Sequence, residues 1–599
     1  MKKDKLPKRS EVPVEFTWNL KDIFEDDKAF EAALENAKAY PEKVGAFCGR
    51  LGESAEAMLE FFKLQDEITI EISKIYGYAS LKSDEDTSDG ASQIMKGKAI
   101  NLYVAISGAG AFATPEIISI PDETIAKFFD ECKELEVYRR PIQVLRHSKD
   151  HVLSPECETI LARAGEIAQG PETIGGILRN ADMKYGEVAD SQGNMHPLSS
   201  GTFVLLEESE DRVLRENAFK RCYGKYGELK NTLASILDAQ FKQLVFFANT
   251  RKYNSTLEAS LDRTEVPTLV YHNLIEAVHQ NLDKMYRYVA LRKKLLGVDE
   301  LHMYDVYTPI VPDAAKDIDF ETAKKTVKEA LQVLGPDYIA ILDEGFSNRW
   351  IDVYENEGKR SGAYSSGLSY PHPYVLLNHS GNLDSMFTLA HEMGHALHSY
   401  HSTKYQPTCT ADYVIFVAEV ASTVNEVLLM KHLLSITNDK KDRAYLINHF
   451  LEQFKGTVYR QTMFAEFELE LGKMAESAET LTADALCAKY LELNKKYFGP
   501  DMISDDEISL EWARIPHFFY NYYVFQYATG FSAAVAIAER ILSEGEPAVK
   551  AYKQFLSAGS SKDPISVLKI AGVDMSTPEP VNSGLKLFGE LIGEMEDLV

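Results

Sequence analysis

His391-Glu392-Met393-Gly394-His395 stands between Met386-Phe387-Thr388-Leu389-Ala390 and Ala396-Leu397, a run that is apolar around most of a helical circumference. Such a run predicts a buried helix. Residues i and i+4 share one helical face, so both imidazoles can point at one metal ion. Glu392 follows His391 directly and can reach a water on that ion. Two His with an adjacent Glu suit zinc, the carboxylate serving as general base in peptide-bond hydrolysis. The competing reading is a core helix carrying two hydrogen-bonded histidines, and a third ligand decides between the two.

Two residues compete for that place. The run His391-Glu-Met-Gly-His395-Ala-Leu-His398-Ser-Tyr-His401 departs from H-E-x-x-H-x-x-G-x-x-H only in having His398 where glycine turns the chain. Without that turn His401 sits roughly 15 Å further along the helix than His391 and off its face. Glu419, in Val414-Ile415-Phe416-Val417-Ala418-Glu419-Val420-Ala421, is a lone carboxylate in an apolar helical run. Such a group is costly to bury unless it is paired with Arg or Lys or binds a cation. Pro407, Thr408, Thr410 and Asp412 mark a turn, with Asp412 expected to cap the second helix and return Glu419 towards the histidines. Glu426, two turns on, can orient a ligand histidine from behind, or face solvent.

The pair His391-Glu392-x-x-His395 and Phe416-Val417-Ala418-Glu419-Val420-Ala421-Ser422 resembles the thimet oligopeptidase-like zinc metallopeptidases, and within them the oligoendopeptidase F group. Phe16-Thr17-Trp18-Asn19-Leu20-Lys21-Asp22-Ile23-Phe24, Gly362-Ala363-Tyr364-Ser365, His372-Pro373-Tyr374-Val375-Leu376-Leu377-Asn378, Ser557-Ala558-Gly559-Ser560-Ser561-Lys562-Asp563-Pro564 and Ala571-Gly572-Val573-Asp574-Met575 extend the resemblance along the chain. It implies a mainly α fold of two helical lobes enclosing a deep substrate channel, with a small β element beside the zinc helix. It also implies one zinc ion held by His391, His395 and Glu419, and short peptides as substrates.

Pro516-His517-Phe518-Phe519-Tyr520-Asn521-Tyr522-Tyr523-Val524-Phe525-Gln526-Tyr527 reads as a helix opened by Pro516, with His517, Tyr520, Tyr523 and Tyr527 as one stripe. Aromatics at helical spacing usually pack, but a His with three phenols is more polar than a core needs. In the resembling family a His and one or more Tyr of this region contact the substrate carbonyl. That implies His517 and Tyr523, then Tyr520, with Tyr527 last. Ser361 to Asn378 reads as strand, loop, strand around Gly362, Gly367, Pro371 and Pro373. Its edge can pair with a peptide backbone or serve as a structural hairpin. His372 and His379 are ordinary surface or packed histidines unless a substrate meets them.

A chain of 599 residues, 45% apolar and 26% charged, has the composition of a soluble globular protein with more than one lobe. Helical periodicity covers Asp27 to Tyr40, Ala55 to Ile75, Arg212 to Phe247, Thr268 to Leu296, Phe320 to Leu334, Lys441 to Lys473 and Asp484 to Tyr497. Met183 to Glu207 reads as a hairpin, with Thr202 to Leu206 as a strand. It marks a boundary between an N-terminal helical domain, 1–189, and a metallopeptidase domain, 190–599. With 64 Lys and Arg against 91 Asp and Glu, the net charge of −27 argues against nucleic acid. Ser83 to Gly90 fails as a calcium loop, because Asp89 and Met95 stand where Gly and Glu are needed, and reads as a solvated turn. Six scattered cysteines read as reduced thiols. No apolar segment follows the basic Met1 to Arg9, and no run suggests a membrane span. A cytoplasmic enzyme is expected.

These readings converge on a zinc metalloendopeptidase for short oligopeptides, with Glu392 moving the proton. The alternatives are a peptidyl-dipeptidase of related fold and a non-catalytic peptide-binding scaffold.

Overall fold

The computed structural model describes residues 5–311, 317–367 and 371–599 and is mainly helical. Apolar residues at helical spacing explain most of these helices, and polar caps explain where they start. Asp26, Ser54, Asp89, Asp319, Asn382, Asp439 and Thr482 each accept a hydrogen bond from a backbone N–H of the following helix. These bonds satisfy donors that a helix leaves free in its first turn.

The chain folds into two compact units, each drawn from three stretches. The first comprises Met1–Asp150, Ala315–His432 and Ile537–Val573; the second comprises His151–Ala314, Leu433–Ala536 and Asp574–Val599.

In the first unit, helices Asp27–Ala37, Ala55–Glu85 and Gly90–Gly110 pack around Phe30, Phe61, Phe62 and Tyr78. The expected strand–loop–strand forms: Tyr364–Ser366 pairs antiparallel with Tyr374–Leu376, which pairs parallel with Ile351–Asp352 on its other side. Part of the connecting loop, residues 368–370, lies outside the described residues. The opening Phe16–Phe24 signature is a wedge against this sheet. Trp18 buries against Leu81, Tyr374 and Leu376, its indole N–H donates to Glu85 (2.6 Å), and Val353 N donates to Phe16 O (3.0 Å). The motif helix, Leu383–Tyr405, packs on the two strands Tyr364–Ser366 and Tyr374–Leu376.

In the second unit, the hairpin Glu187–Ala189 and Met195–Pro197 forms as expected. The expected strand over Thr202 to Leu206 does not: Phe203–Glu207 is a helix, initiated where Ser199 Oγ accepts from Thr202 N. Arg212 to Phe247 is two helices, Arg212–Glu228 and Lys230–Thr250. Lys441 to Lys473 is helical but widens into a π turn over Phe454–Tyr459.

One further expectation is corrected. Ser83 to Gly90 is not simply a solvated turn, because Asp84 is buried and accepts from Tyr364 Oη (2.8 Å) and Arg360 Nη1 (3.2 Å). Among the described residues one helical stretch, Gly90–Ser119, is long and apolar enough to cross a membrane by length and composition. Met95, Ala99, Leu102 and Ile106 bury one face of it in the core of the first unit. All six cysteines are free thiols.

Candidate metal centre and aromatic cluster

Asn382 caps the motif helix through Ser385 N and fixes its start. About three turns further on, at Gly394, the helix meets the return helix, Ile415–Ile436, at very short range. A Cβ on Gly394 would lie 2.5 Å from Ser422 Cα and 2.7 Å from Ala421 O, so only glycine permits this approach. Asn425 Nδ2 donates to Ala390 O (3.1 Å) and Tyr338 Oη donates to Asn425 Oδ1 (3.1 Å), which pins the two helices in register. The turn between them is held from Ser557–Ser560: Gln406 Nε2 donates to Ser557 O (2.8 Å), and Ser560 N donates to Thr410 O (3.0 Å). Asp412 is not the helix cap expected of it. Its carboxylate accepts from Tyr413 N (2.8 Å), before the helix begins at Ile415.

This scaffold brings three donor atoms together. His391 Nε2 and His395 Nε2 are 3.2 Å apart, and Glu419 Oε2 lies 3.3 and 3.4 Å from them. A tetrahedral zinc with bonds of about 2.0–2.1 Å spaces its donors about 3.3–3.4 Å apart. The donor set therefore fits one zinc-sized ion, and it is the one group of three or more His, Cys, Asp or Glu able to hold a metal among the described residues. Glu426 Oε1 meets His391 Nδ1 at 2.5 Å, which fixes the ring and turns Nε2 towards Glu419. Ser422 Oγ lies 3.3 Å from Glu419 Oε2 and steadies the carboxylate.

Electrostatics favour a cation here. Burial opposes charge on His391, yet Glu419 and Glu426 pull its pKa up to about 10. Burial would raise the Glu419 carboxyl, but His391 and His395 hold it well below the usual carboxylate range. The Glu419 side chain is 44% exposed, so the carboxylate is half-buried beside the fully buried Val417, Val420 and Ala421. Glu392 is the buried acid of the motif: burial raises its pKa against the pull of His391 and His395, and its Oε2 has no hydrogen-bond partner.

His401 stands apart, as helix geometry predicts. It is buried, stacks against Tyr338 at 6.3 Å between centroids, and burial pushes its pKa down to about 4. His398 stacks on Tyr413 at 3.8 Å. His372 lies flat on Trp350 at 4.9 Å and contacts Asp22 Oδ2 at 3.0 Å, and His379 Nε2 meets Ile318 O at 3.1 Å. Both are packed histidines.

The aromatic residues belong to the second unit, and their helix is not continuous. Pro516–Phe519 is a single 3-10 turn, Asn521 and Tyr522 take φ of +56° and +61°, and the helix starts again at Phe525. Two consecutive non-glycine residues in this region are strained. Buried partners hold them. Tyr522 N donates to Glu468 Oε1 (3.0 Å), Tyr522 Oη meets Thr256 Oγ1 (2.7 Å), and Gln240 Nε2 donates to Asn521 Oδ1 (2.8 Å). A Cβ on Gly472 would lie 1.9 Å from Tyr522 Oη, so the turn also requires that glycine.

The break sorts the rings. Phe518, Phe519 and Tyr522 go into the core. His517, Tyr520, Tyr523 and Tyr527 remain at the surface side as an edge-to-face cluster, with His517–Tyr520 at 5.5 Å, His517–Tyr527 at 6.1 Å, Tyr520–Tyr523 at 6.4 Å and Tyr523–Tyr527 at 5.4 Å. Burial and the Arg460 guanidinium both lower the His517 pKa, which keeps the ring neutral at neutral pH.

Residues 205–587 match Peptidase family M3, and residues 116–185 match the family described as Oligopeptidase F. The chain belongs to peptidase family M3, a family of metallopeptidases. It is similar to the oligopeptidase PepF of Bacillus subtilis, with 46% identity across 100% of this chain and 89% of that protein. Its fold aligns with a crystal structure from Chlamydophila abortus at a TM-score of 0.94, with 33% identity over 99% of this chain and 100% of the other. Oligoendopeptidase-F of Enterococcus faecium aligns at 0.74, with 38% identity over 96% and 99%.

Proposed function

We propose that this M3 peptidase is a zinc-dependent oligoendopeptidase in which His391, His395 and Glu419 hold one zinc ion and Glu392 moves the proton. The observation that carries this reading is the triangle of ligand atoms, sized for a tetrahedral ion, with Glu392 beside it. Zinc, when bound, supplies a Lewis acid that acidifies water and polarises a carbonyl. Glu392 accepts the proton of the attacking water and passes it to the leaving amine. A pKa raised by burial suits a group that must hold that proton between the two steps. Glu426 orients His391 from behind.

His517, Tyr523 and Tyr520 are assigned hydrogen bonds to the substrate carbonyl, a role that rests on the family resemblance and suits a neutral imidazole and phenols. Tyr364–Ser366, at the edge of its sheet, offers backbone groups to an extended peptide. Short peptides as substrates and cleavage at internal bonds follow the relatives named oligopeptidase and oligoendopeptidase F.

A quenched-fluorescent peptide tests the assignment. Cleavage is expected to stop with a chelator and return with zinc, and mass spectrometry of a longer peptide is expected to show internal cuts. Successive loss of C-terminal dipeptides would replace it with a peptidyl-dipeptidase. Absence of chelator-sensitive cleavage would leave a scaffold.

A further inference from the structure

A cavity of about 350 Å³ lies within the first unit, beside the strand edge Tyr364–Ser366. Tyr76, Ser80 and Asp84 form one wall, spaced four residues apart along a single face of the helix Ala55–Glu85. Lys96, from Gly90–Gly110, and Arg360 and Ser365, from the sheet side, complete the groups that matter.

The charges on these walls do not cancel. Asp84 is one carboxylate facing two cations, and its oxygens are already used by Tyr364, by Arg360 and, at 3.5 Å, by Lys96. Arg360 gives Asp84 one N–H of its five, and its side chain is 55% exposed. Lys96 reaches Asp84 only at the limit of a hydrogen bond. The nearby acids are engaged elsewhere: Glu85 with Arg9 and Trp18, Asp86 with Ser88. Ser80 Oγ and Ser365 Oγ are shielded from solvent and make no hydrogen bond. The cavity thus presents two cations, Lys96 and Arg360, against the single carboxylate of Asp84.

We infer that this cavity is a subsite for a carboxylate of the peptide substrate, held by Lys96 and Arg360. The inference rests on the peptidase reading, with substrate paired along the Tyr364–Ser366 edge. The carboxylate comes either from an acidic side chain or from the peptide's own C-terminus.

The zinc-loaded full chain is assayed on matched peptides: internal Glu against Gln, and a free C-terminal acid against its amide. One of the two pairs is expected to show a preference of about tenfold in kcat/KM for the acid, the size of one charge-assisted hydrogen bond. Which pair shows it identifies the source of the carboxylate. Lys96→Gln leaves Asp84 paired with Arg360 and Tyr364. It is expected to bring the preference close to one while cleavage of the neutral peptides stays within about twofold, and Arg360→Gln is expected to do the same. Equal rates on acid and neutral peptides in the wild type overturn the inference and leave the peptidase reading intact. So does a preference that survives in a Lys96→Gln protein of unchanged Tm. Failure to cleave any of the peptides overturns both.

Discussion

The candidate metal triad and the aromatic cluster are built in opposite ways. His391, His395 and Glu419 project from two long, unbroken helices locked by backbone approach at Gly394 and by Asn425. His517, Tyr520 and Tyr523 project from a broken segment whose left-handed residues are held by buried side chains. The first arrangement sets ligand spacing through regular geometry, as a metal with fixed bond lengths requires. The second stores strain in order to present rings that a regular helix would have turned into the core. The triad should therefore fail through loss of a ligand or base, and the cluster through loss of its supports.

The largest expected effect falls on Glu392. Glu392→Gln is expected to bind zinc at one ion per chain and to lose about 10²–10⁴ in kcat, the range of a general acid–base group. Steady-state kinetics beside metal analysis would check this, and normal turnover would end the assignment. In the aromatic region His517→Ala and Tyr523→Phe are each expected to lower kcat by about 10²-fold, with zinc content unchanged. A change confined to KM would make these rings binding residues only. Glu426→Gln is expected to weaken zinc about 10- to 100-fold through the orientation of His391, measurable by competition with a chromophoric chelator.

The smallest effects concern the supports of the strained turn. Gly472→Ala, with its Cβ driven onto Tyr522, is expected to cost about 1–3 kcal/mol by thermal unfolding and to lower kcat with zinc retained. Glu468 gives a pH signature. Burial pushes its pKa up to about 8, so the folded state holds a proton that the unfolded chain releases above its ordinary carboxyl pKa of about 4.3. Its contribution is fully present below that value and is lost as pH rises towards 8. Glu468→Gln keeps an acceptor for Tyr522 N and is expected to flatten the fall of Tm between about pH 5 and 8. An unchanged slope would show that Glu468 is not the group responsible.

The same contrast explains what could be read from the sequence. The motif helix and the return helix follow from apolar spacing, and the exclusion of His401 follows from helical rise alone. Glu419 is legible as a candidate ligand from its place in an apolar run, and the structure leaves it half-buried. Gly394 carries a signal in retrospect, since a glycine inside a buried helix usually marks a close approach. The break at Asn521–Tyr522 carries none. No Gly or Pro interrupts Asn521 to Tyr527, and the partners that impose the turn, Gln240, Thr256, Glu468 and Gly472, lie far away in the chain. Periodicity reads contacts between neighbours, and this turn is made by contacts across the fold. Likewise Asp84 looked solvated because its partners, Arg360 and Tyr364, come from another stretch.

The central claim is the ligand set, and zinc affinity measured on Glu419→Ala beside His401→Ala tests it most directly. The account predicts that Glu419→Ala loses stoichiometric zinc at concentrations that saturate the wild type, while His401→Ala binds as the wild type does. Retention of full affinity by Glu419→Ala, with loss in His401→Ala, would contradict it.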